Sequence, residues 1–258
     1  MDKKLLENTL ESLKTPCKVV AFEQIESTNL TAKEMARGGE EEFTLVISDS
    51  QTKGRGRLGR SFFSPDKSGI YMSLIVRPHF TFEDAFLITP ATAVGVAHAI
   101  EGYRLSPQIK WVNDIYINSK KVCGILTESS FTSERLTDWA VIGIGINLTQ
   151  PNGGFPSEIS NTASALFDKD EAPAKEIFSA QVISSVINVY KSLPDTSFVK
   201  EYQSRSYLTG KTVELPDKTL ARVVGIDSRC GLIVELADKS IKTITSSDVS
   251  VKPTSSPI

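Results

Sequence analysis

Hydrophobic positions along the chain repeat with two spacings, one typical of strands and the other of helices. Apolar runs bounded by polar or turn-forming residues predict four strands, at residues 17–25, 43–49, 69–76 and 138–148. Leu6, Leu10 and Leu13 predict a short opening helix. Further helical segments are predicted after residue 27 as far as Gly38, at 83–103 with an interruption near Pro90, at 172–193 and at 198–207.

Residues 108–130 combine two short apolar strands with a turn at Asn118 and Ser119, which predicts a hairpin. Polar or aromatic residues stand at its strand ends: Lys110, Trp111, Asn113, Asp114 and Lys121. The strand at 138–148 contains Gly143 and Gly145 and carries Asn147 near its end. Glycines inside an apolar strand indicate close approach of a ligand or of another backbone. Both segments are therefore candidates for a binding site.

The pattern changes from Thr209 onwards. Short alternating runs follow one another at residues 211–215, 220–226, 231–236 and 241–245, separated by turn-forming residues. This pattern of short strands and turns predicts a small β-barrel. We therefore expect a large domain at residues 1–207 and a small domain at residues 208–258, with a frayed tail from residue 252.

Composition narrows the classes of function. The chain has 258 residues, a net charge of −2, three cysteines and two histidines. The charge argues against bulk nucleic-acid binding, and so few cysteines and histidines fit neither a disulfide framework nor a zinc site. No apolar run approaches the roughly 20 residues that span a bilayer, and the opening segment is too polar for a signal peptide. We expect a cytoplasmic protein.

The most unusual segment is GRGRLGR at residues 54–60, in which Arg55, Arg57 and Arg60 alternate with glycines. Arginine presents a planar fork of donors to phosphate or carboxylate, and glycine lets the backbone approach a ligand. Basic glycine-rich segments also occur in solvated linkers. Because buried strands are predicted on both sides, we interpret this segment as a mobile loop that closes over an anion.

Several reaction classes are disfavoured by the residues. No Ser/His/Asp relay, catalytic cysteine with a base, or pair of carboxylates on one face is recognisable. The segment GIGIN at residues 143–147 is not a dinucleotide fingerprint, since it lies within a strand and lacks the third glycine. His98 is expected to pack in the core and His79 to lie in a surface turn. The remaining cations favour phosphoryl or adenylyl chemistry, in which the protein positions reactants and neutralises charge.

Five segments in order resemble the biotin–protein ligase family: ESTN at 26–29, QTKGRGRLGR at 51–60, KWVNDIY at 110–116, KVCGILTE at 121–128 and GIGINL at 143–148. The resemblance implies an α+β fold, with a mixed-sheet catalytic domain of the class II synthetase-like biotin/lipoate ligase type and an SH3-like β-barrel after it. It also implies that ATP and Mg²⁺ activate biotin to biotinyl-5′-AMP. The biotin is then transferred to a lysine of a biotin carboxyl carrier protein or domain.

The resemblance also assigns roles to residues. Those expected to bind biotin are Ser27, Thr28, Asn29, Gln51, Arg55, Gly56, Arg57 and Lys121. Those expected on the nucleotide side are Arg57, Arg60, Lys110, Asn113, Asp114 and Asn147. Lys121 and Arg55 are the implied catalytic residues, Asp114 the candidate magnesium ligand, and Asn147 a contact to adenine. Trp111 and Cys123 are expected to pack beside the site without reacting.

Departures from the family pattern leave alternatives open. Val112 stands where the family usually has proline, and Phe62 with Phe63 replaces a more usual tryptophan-containing pair. No DNA-binding module of the repressor type is recognisable, so we expect a monofunctional ligase, monomeric or homodimeric, that binds neither DNA nor membrane. The alternatives are a lipoate–protein ligase or octanoyl transferase of the same fold, or a non-catalytic adaptor.

Overall fold

The computed structural model describes residues 1–245 and 252–254, which form two sheets and six helices. The strands of the first sheet are β1 (Lys18–Ile25), β2 (Thr44–Gln51), β3 (Gly69–Val76), β4 (Gln108–Lys110), β5 (Asp114–Ile117), β6 (Lys120–Phe131) and β7 (Thr137–Asn147). Those of the second are β8 (Thr212–Glu214), β9 (Leu220–Ile226), β10 (Leu232–Glu235), β11 (Ile241–Ile244) and β12 (Lys252–Pro253). The helices are α1 (Lys3–Ser12), α2 (Thr28–Arg37), α3 (Phe82–Ala85), α4 (Ile88–Glu101), α5 (Lys175–Tyr190) and α6 (Val199–Ser204).

The first sheet is mixed, with strand order β1-β2-β3-β7-β6-β5-β4. β1 pairs with β2 in parallel, and the other neighbours pair antiparallel. Successive side chains of a strand point to opposite faces, and both faces are covered here. Ile75 packs with α2 on one face, whereas Leu74 and Val76 join the larger core that includes α4 and α5. This double cover explains why β3 is an uninterrupted buried run.

The second sheet is antiparallel, in the order β11-β10-β9-β8-β12, and it packs against the first sheet near the end of β4. The indole Nε1 of Trp111 donates a hydrogen bond to the Cys230 carbonyl at 2.8 Å. The hydroxyl of Tyr202, on α6, donates to the Val112 carbonyl at 3.1 Å. Trp111 is buried, as expected. The predicted α+β class with a small SH3-like β-domain is therefore confirmed.

The helix predicted at 83–103 is two helices, and the break comes earlier than predicted. α3 ends at Ala85 and α4 begins at Ile88, so Pro90 lies in the first turn of α4. A first-turn position has no intrahelical acceptor for its N–H, so proline is tolerated there. No helix within the described ranges is long and apolar enough to cross a membrane.

Two smaller expectations were wrong. His98 is not a core residue: its ring Nε2 lies 2.6 Å from the Glu201 carboxylate, and about a third of the side chain is exposed. His79 is exposed, as predicted. The tail is not frayed at its start, because Lys252–Pro253 pairs with β8. The rest of the predicted frayed tail, residues 255–258, lies outside the described residues.

Candidate functional site

A cleft of about 450 Å³, counted with its space open to solvent, lies between the start of α2, the loop at residues 54–60 and strands β6 and β7. All eight residues expected to bind biotin line it: Ser27, Thr28, Asn29, Gln51, Arg55, Gly56, Arg57 and Lys121. They come from α2, β2, β6 and the loop, so elements distant in sequence meet at one site.

The arginine-rich loop is a small hairpin. Arg55 bridges to Ser61, and the N–H of Gly56 donates to the Arg60 carbonyl at 2.7 Å. Gly59 has a φ of 73°, which suits glycine at the tip of this turn. The fold-back directs the following residue, Phe62, into the cleft. The predicted mobility of this loop stays a prediction.

Arg57 connects the loop to the strand end that follows Trp111. Its Nη1 donates to Asn113 Oδ1 at 2.8 Å, while Asn113 Nδ2 donates to the Ile125 carbonyl at 2.8 Å. The two bonds use opposite ends of one amide, so they fix its orientation. The guanidinium is thereby tied, through Asn113, to the backbone of β6.

Lys121 points its ammonium group into the same region. Its Nζ lies 2.7 Å from Asp114 Oδ1 and 5.9 Å from the centre of the Phe62 ring. A Cβ at Gly124 would come within 2.9 Å of that Nζ, so glycine is what lets the lysine fold back over β6. The result is a cation held between a carboxylate and an aromatic face.

The two glycines of β7 make room for side chains. A Cβ at Gly143 would lie 2.0 Å from Asn29 Oδ1, and one at Gly145 would lie 2.6 Å from the Phe62 ring. The sequence predicted close approach of a ligand or of another backbone at these positions. In the structure the neighbours are two side chains that line the cleft, so the glycines shape the site indirectly.

The end of the cleft nearest α2 is neutral and rich in hydrogen bonds. The Thr28 N–H donates to Gln51 Oε1 at 2.8 Å, and Gln51 Nε2 donates to Ser64 Oγ at 2.9 Å. Ser73 Oγ donates to Asn29 Oδ1 at 2.6 Å. The buried Ser27 Oγ has no hydrogen-bond partner among the residues that the structure describes. An unpaired buried hydroxyl in a binding cleft is suited to a ligand.

Sequence reasoning missed three residues behind this neutral end. Ser73 is a buried polar residue on β3, and Glu128 on β6 accepts from Asn29 Nδ2 at 3.1 Å and pairs with Lys33 Nζ at 2.5 Å. Burial would raise the pKa of Glu128, but hydrogen bonds from Lys33 and Asn29 outweigh it and hold that pKa below its ordinary value. Glu128 closes the KVCGILTE segment, which was the available signal.

Of the six residues expected on the nucleotide side, Arg57 and Asn113 line the cleft and the other four do not. Arg60 is exposed, and Asp114 is paired with Lys121. Lys110 lies over the Tyr116 ring, and burial, partly offset by Asp114, lowers its pKa. Asn147 Nδ2 donates to the Ser164 carbonyl at 3.0 Å and to the Lys121 carbonyl at 3.4 Å. Asn147 thus holds the backbone of Lys121, and its contact to adenine stays a prediction.

Two further kinds of side chain could take part in catalysis: metal ligands and cysteine thiols. Within residues 1–245 and 252–254, no three His, Cys, Asp or Glu side chains form a metal-binding group. Burial raises the pKa of all three thiols, to about 12 for Cys17 and Cys230, while Cys123 is wholly buried. A thiol with a raised pKa is a poor nucleophile at neutral pH.

Comparison with known proteins agrees with this arrangement. Residues 21–147 match the biotin/lipoate A/B protein ligase family, and residues 210–252 match the biotin protein ligase C-terminal domain. The bifunctional ligase/repressor BirA of Bacillus spizizenii is 36% identical over 236 residues, which cover 87% of this chain and 71% of that protein. The chain belongs to the biotin protein ligase family.

Other relatives extend the comparison across both sheets. The biotin–[acetyl-CoA-carboxylase] ligase of Mycobacterium tuberculosis is 26% identical over 201 residues, covering 74% of this chain and 71% of that one. A biotin protein ligase from Aquifex aeolicus, solved in complex with biotin and ATP, superposes with a TM-score of 0.78. It is 26% identical and covers 92% of this chain and 99% of its own. The family resemblance predicted from the five segments is confirmed.

Proposed function

We propose that the chain is a biotin–protein ligase that activates biotin with ATP and transfers it to a lysine of a carboxyl carrier domain. The observation that carries this proposal is one cleft with a neutral, hydrogen-bonding end and a cationic end. Biotin has the same division, with an uncharged cyclic urea at one end and a carboxylate at the other. The Aquifex aeolicus relative was solved with biotin and ATP, which supports the same two substrates here.

In the first step, a carboxylate oxygen of biotin attacks the α-phosphorus of ATP. A carboxylate–phosphorus bond forms, the bond from that phosphorus to the bridging oxygen breaks, and pyrophosphate leaves. Two anions must approach each other, so fixed cations are needed to stabilise the charge on the phosphoryl oxygens. We assign this role to Lys121, Arg55 and Arg57, which converge on the cleft from β6 and the loop.

In the second step, the neutral amine of the carrier lysine attacks the acyl carbon of biotinyl-5′-AMP. The carbon–nitrogen bond forms, the bond to the AMP oxygen breaks, and the surplus amine proton passes to solvent. The adenylate must be shielded from water until the carrier arrives. Phe62 and the hairpin at residues 54–60 cover the cleft in a way that suits this protection.

We also propose that Mg²⁺ binds together with ATP. Mg²⁺ in nucleotide sites is commonly held by one or two carboxylates together with substrate phosphates. Asp114 is the candidate ligand because it lies beside Lys121, and its carboxylate would exchange the ammonium, now at 2.7 Å, for the ion. The ion would neutralise phosphate charge beside the two arginines.

We also propose a catalytic domain at residues 1–207 and an SH3-like domain at residues 208–258, acting in the cytoplasm on a carrier protein without binding DNA. The second sheet begins at β8 and the C-terminal family match begins at residue 210, which supports this boundary. Against DNA binding, Leu6 and Leu10 of α1 are buried in the main core, so this helix packs on the body of the protein.

The decisive experiment is ATP–pyrophosphate exchange with biotin or lipoate as the acid. We expect exchange with biotin, loss of exchange in Lys121→Ala, and normal exchange in Lys120→Ala, a neighbouring exposed lysine. Exchange with lipoate alone would favour the related ligase, and exchange with neither acid would favour an adaptor. Retention of exchange by Lys121→Ala would show that another residue bridges the two anions.

A further inference from the structure

We propose that Lys33 and Glu128 form a positioning pair that sets the direction of hydrogen bonding at the neutral end of the cleft. This inference rests on the proposed function, because it concerns how the cyclic urea of biotin is recognised. Neither side chain lines the main cleft beside the ligand-facing residues. Both act through Asn29, which does.

The first step of the argument concerns the Asn29 amide. An ionised carboxylate accepts hydrogen bonds and donates none. Glu128 Oε2 lies 3.1 Å from Asn29 Nδ2, and the Leu126 carbonyl, a second acceptor, lies 3.2 Å from the same atom. These two acceptors require Asn29 to turn its NH₂ group towards β6. Its Oδ1 must then face Ser73.

In the second step, the orientation of the Asn29 amide fixes which way the neighbouring hydroxyl groups donate. Ser73 has a single hydroxyl proton, which goes to Asn29 Oδ1 at 2.6 Å. The Thr28 Oγ1 lies 2.8 Å from Ser73 Oγ and 3.1 Å from Gln51 Oε1, so its own proton goes to one of these two acceptors. Its proton is thereby used inside the protein, and its remaining lone pair is left as an acceptor. Thr28 therefore suits an N–H group of the ligand.

The third step completes the match to a cyclic urea. The Gln51 Oε1 already accepts the Thr28 N–H at 2.8 Å, so it does not compete with Thr28 Oγ1 for the ligand's N–H. Ser27 Oγ keeps its donor unused among the described residues. An acceptor for N–H beside a donor for C=O is complementary to a urea. A group with the opposite pattern would leave both hydroxyls badly paired.

Lys33 stabilises the negative charge of Glu128, on which the orientation of Asn29 depends. It is on α2, one turn beyond Asn29, and its Nζ lies 2.5 Å from Glu128 Oε1. Both side chains are largely buried, with 18% and 25% exposed. A buried carboxylate without a partner would take up a proton and become able to donate. The lysine keeps Glu128 an acceptor.

The test compares two changes to the pair. Glu128→Gln offers both a donor and an acceptor, so the direction is no longer imposed. The exchanged pair, Lys33→Glu with Glu128→Lys, keeps an ion pair but presents a donor to Asn29. We expect the Kd for biotin, measured calorimetrically, to rise about tenfold in Glu128→Gln and more than a hundredfold in the exchanged pair. The Kd for ATP and the melting temperature should stay near their wild-type values.

Glu101→Gln is the matched control, since it removes the charge from another ion pair, with Arg205, that links α4 to α6. It should leave biotin binding unchanged. Wild-type biotin affinity in the exchanged pair would overturn the inference. So would loss of ATP binding and melting temperature in parallel with biotin, because the pair would then be purely structural. If the wild-type chain does not bind biotin, the proposed function itself fails, and this is seen before any variant is compared.

Discussion

The two ends of the cleft are built in different ways. At the neutral end, Ser27, Thr28, Asn29 and Ser73 are almost fully buried, and the hydrogen-bond partners of the last three are far away in sequence. At the cationic end, the hairpin at residues 54–60 is held mainly by its own backbone, and both Arg55 and Arg60 are exposed. One end is part of the core and the other is attached to it.

This difference suits the two kinds of group that we expect to bind. A neutral urea is recognised through hydrogen bonds, which depend on direction and distance. Such bonds need rigid partners, whose conformational entropy is lost during folding and not on binding. Anions are recognised at longer range and tolerate movement, so exposed arginines on a hairpin suffice. We therefore expect packing changes to act on the neutral end and charge changes to act on the cationic end.

After Lys121→Ala, the largest loss of activity is expected from Arg57→Ala. This change removes a cation from the cleft and its hydrogen bond to Asn113. Removing one donor that stabilises developing charge costs about 10²- to 10³-fold in rate. We expect kcat/KM for biotin-dependent ATP–pyrophosphate exchange to fall by that amount, whereas Leu58→Ala, on the same hairpin and 54% exposed, should remain active. Equal losses in both variants would mean that the fold of the hairpin matters and the charge does not.

Gly143→Ala tests the rigidity of the neutral end. The new Cβ would lie 2.0 Å from Asn29 Oδ1, so Asn29 must leave its place. Overpacking of this kind costs about 1–3 kcal/mol, and a loss of that size in binding free energy is roughly 5- to 150-fold in affinity. Calorimetry should show this loss for biotin and little change for ATP. Gly225→Ala, where an added Cβ meets no atom within 4 Å, is the control. Unchanged biotin affinity would show that Asn29 adapts.

Lys110→Met should separate stability from binding. Burial lowers the pKa of Lys110, so its charged form destabilises the folded state at neutral pH, and this cost disappears as pH rises through the lowered pKa. A neutral replacement removes the cost, and we expect the melting temperature to rise by about 2–4 °C. The KM for ATP should rise as well. A lower melting temperature would contradict this account of the lysine.

The smallest expected change is in the pH dependence of ligand binding. We expect binding to stay constant over most of the pH range. The pKa of Glu128 lies below its ordinary value, so its favourable contribution is complete above that value and is lost as pH falls through the lowered pKa. Binding of uncharged biotinamide should therefore be constant from about pH 8 to pH 5.5. A decline within that window would show that Glu128 takes up a proton earlier.

Sequence reasoning succeeded where the signal is local. The bounds of β3 and the turn at Asn118 and Ser119 follow from neighbouring residues, and the structure confirms both. The loop at residues 54–60 was also recognisable, because alternating arginine and glycine suit no core element. The family motifs extended this reasoning to eight residues that meet in one cleft.

Long-range partners could not be read in the same way. Lys33 and Glu128 are 95 positions apart, and His98 and Glu201 are 103 apart. Neither pair has a local pattern that links its members. Ser73 was hidden for another reason: β3 is buried on both faces, so one polar residue in it breaks no alternation. The glycines of β7 were noticed, but only the fold reveals that Asn29 and Phe62 fill the space.

The contact between Trp111 and the Cys230 carbonyl also gives the chain an optical reporter. The chain has two tryptophans, and the other, Trp139, lies in the small core beside α2, away from the second sheet. Separation of the second sheet would replace a peptide carbonyl around one indole by water and leave the other indole as an internal reference. The emission spectrum therefore registers the junction between the two sheets next to Asn113, without any added label.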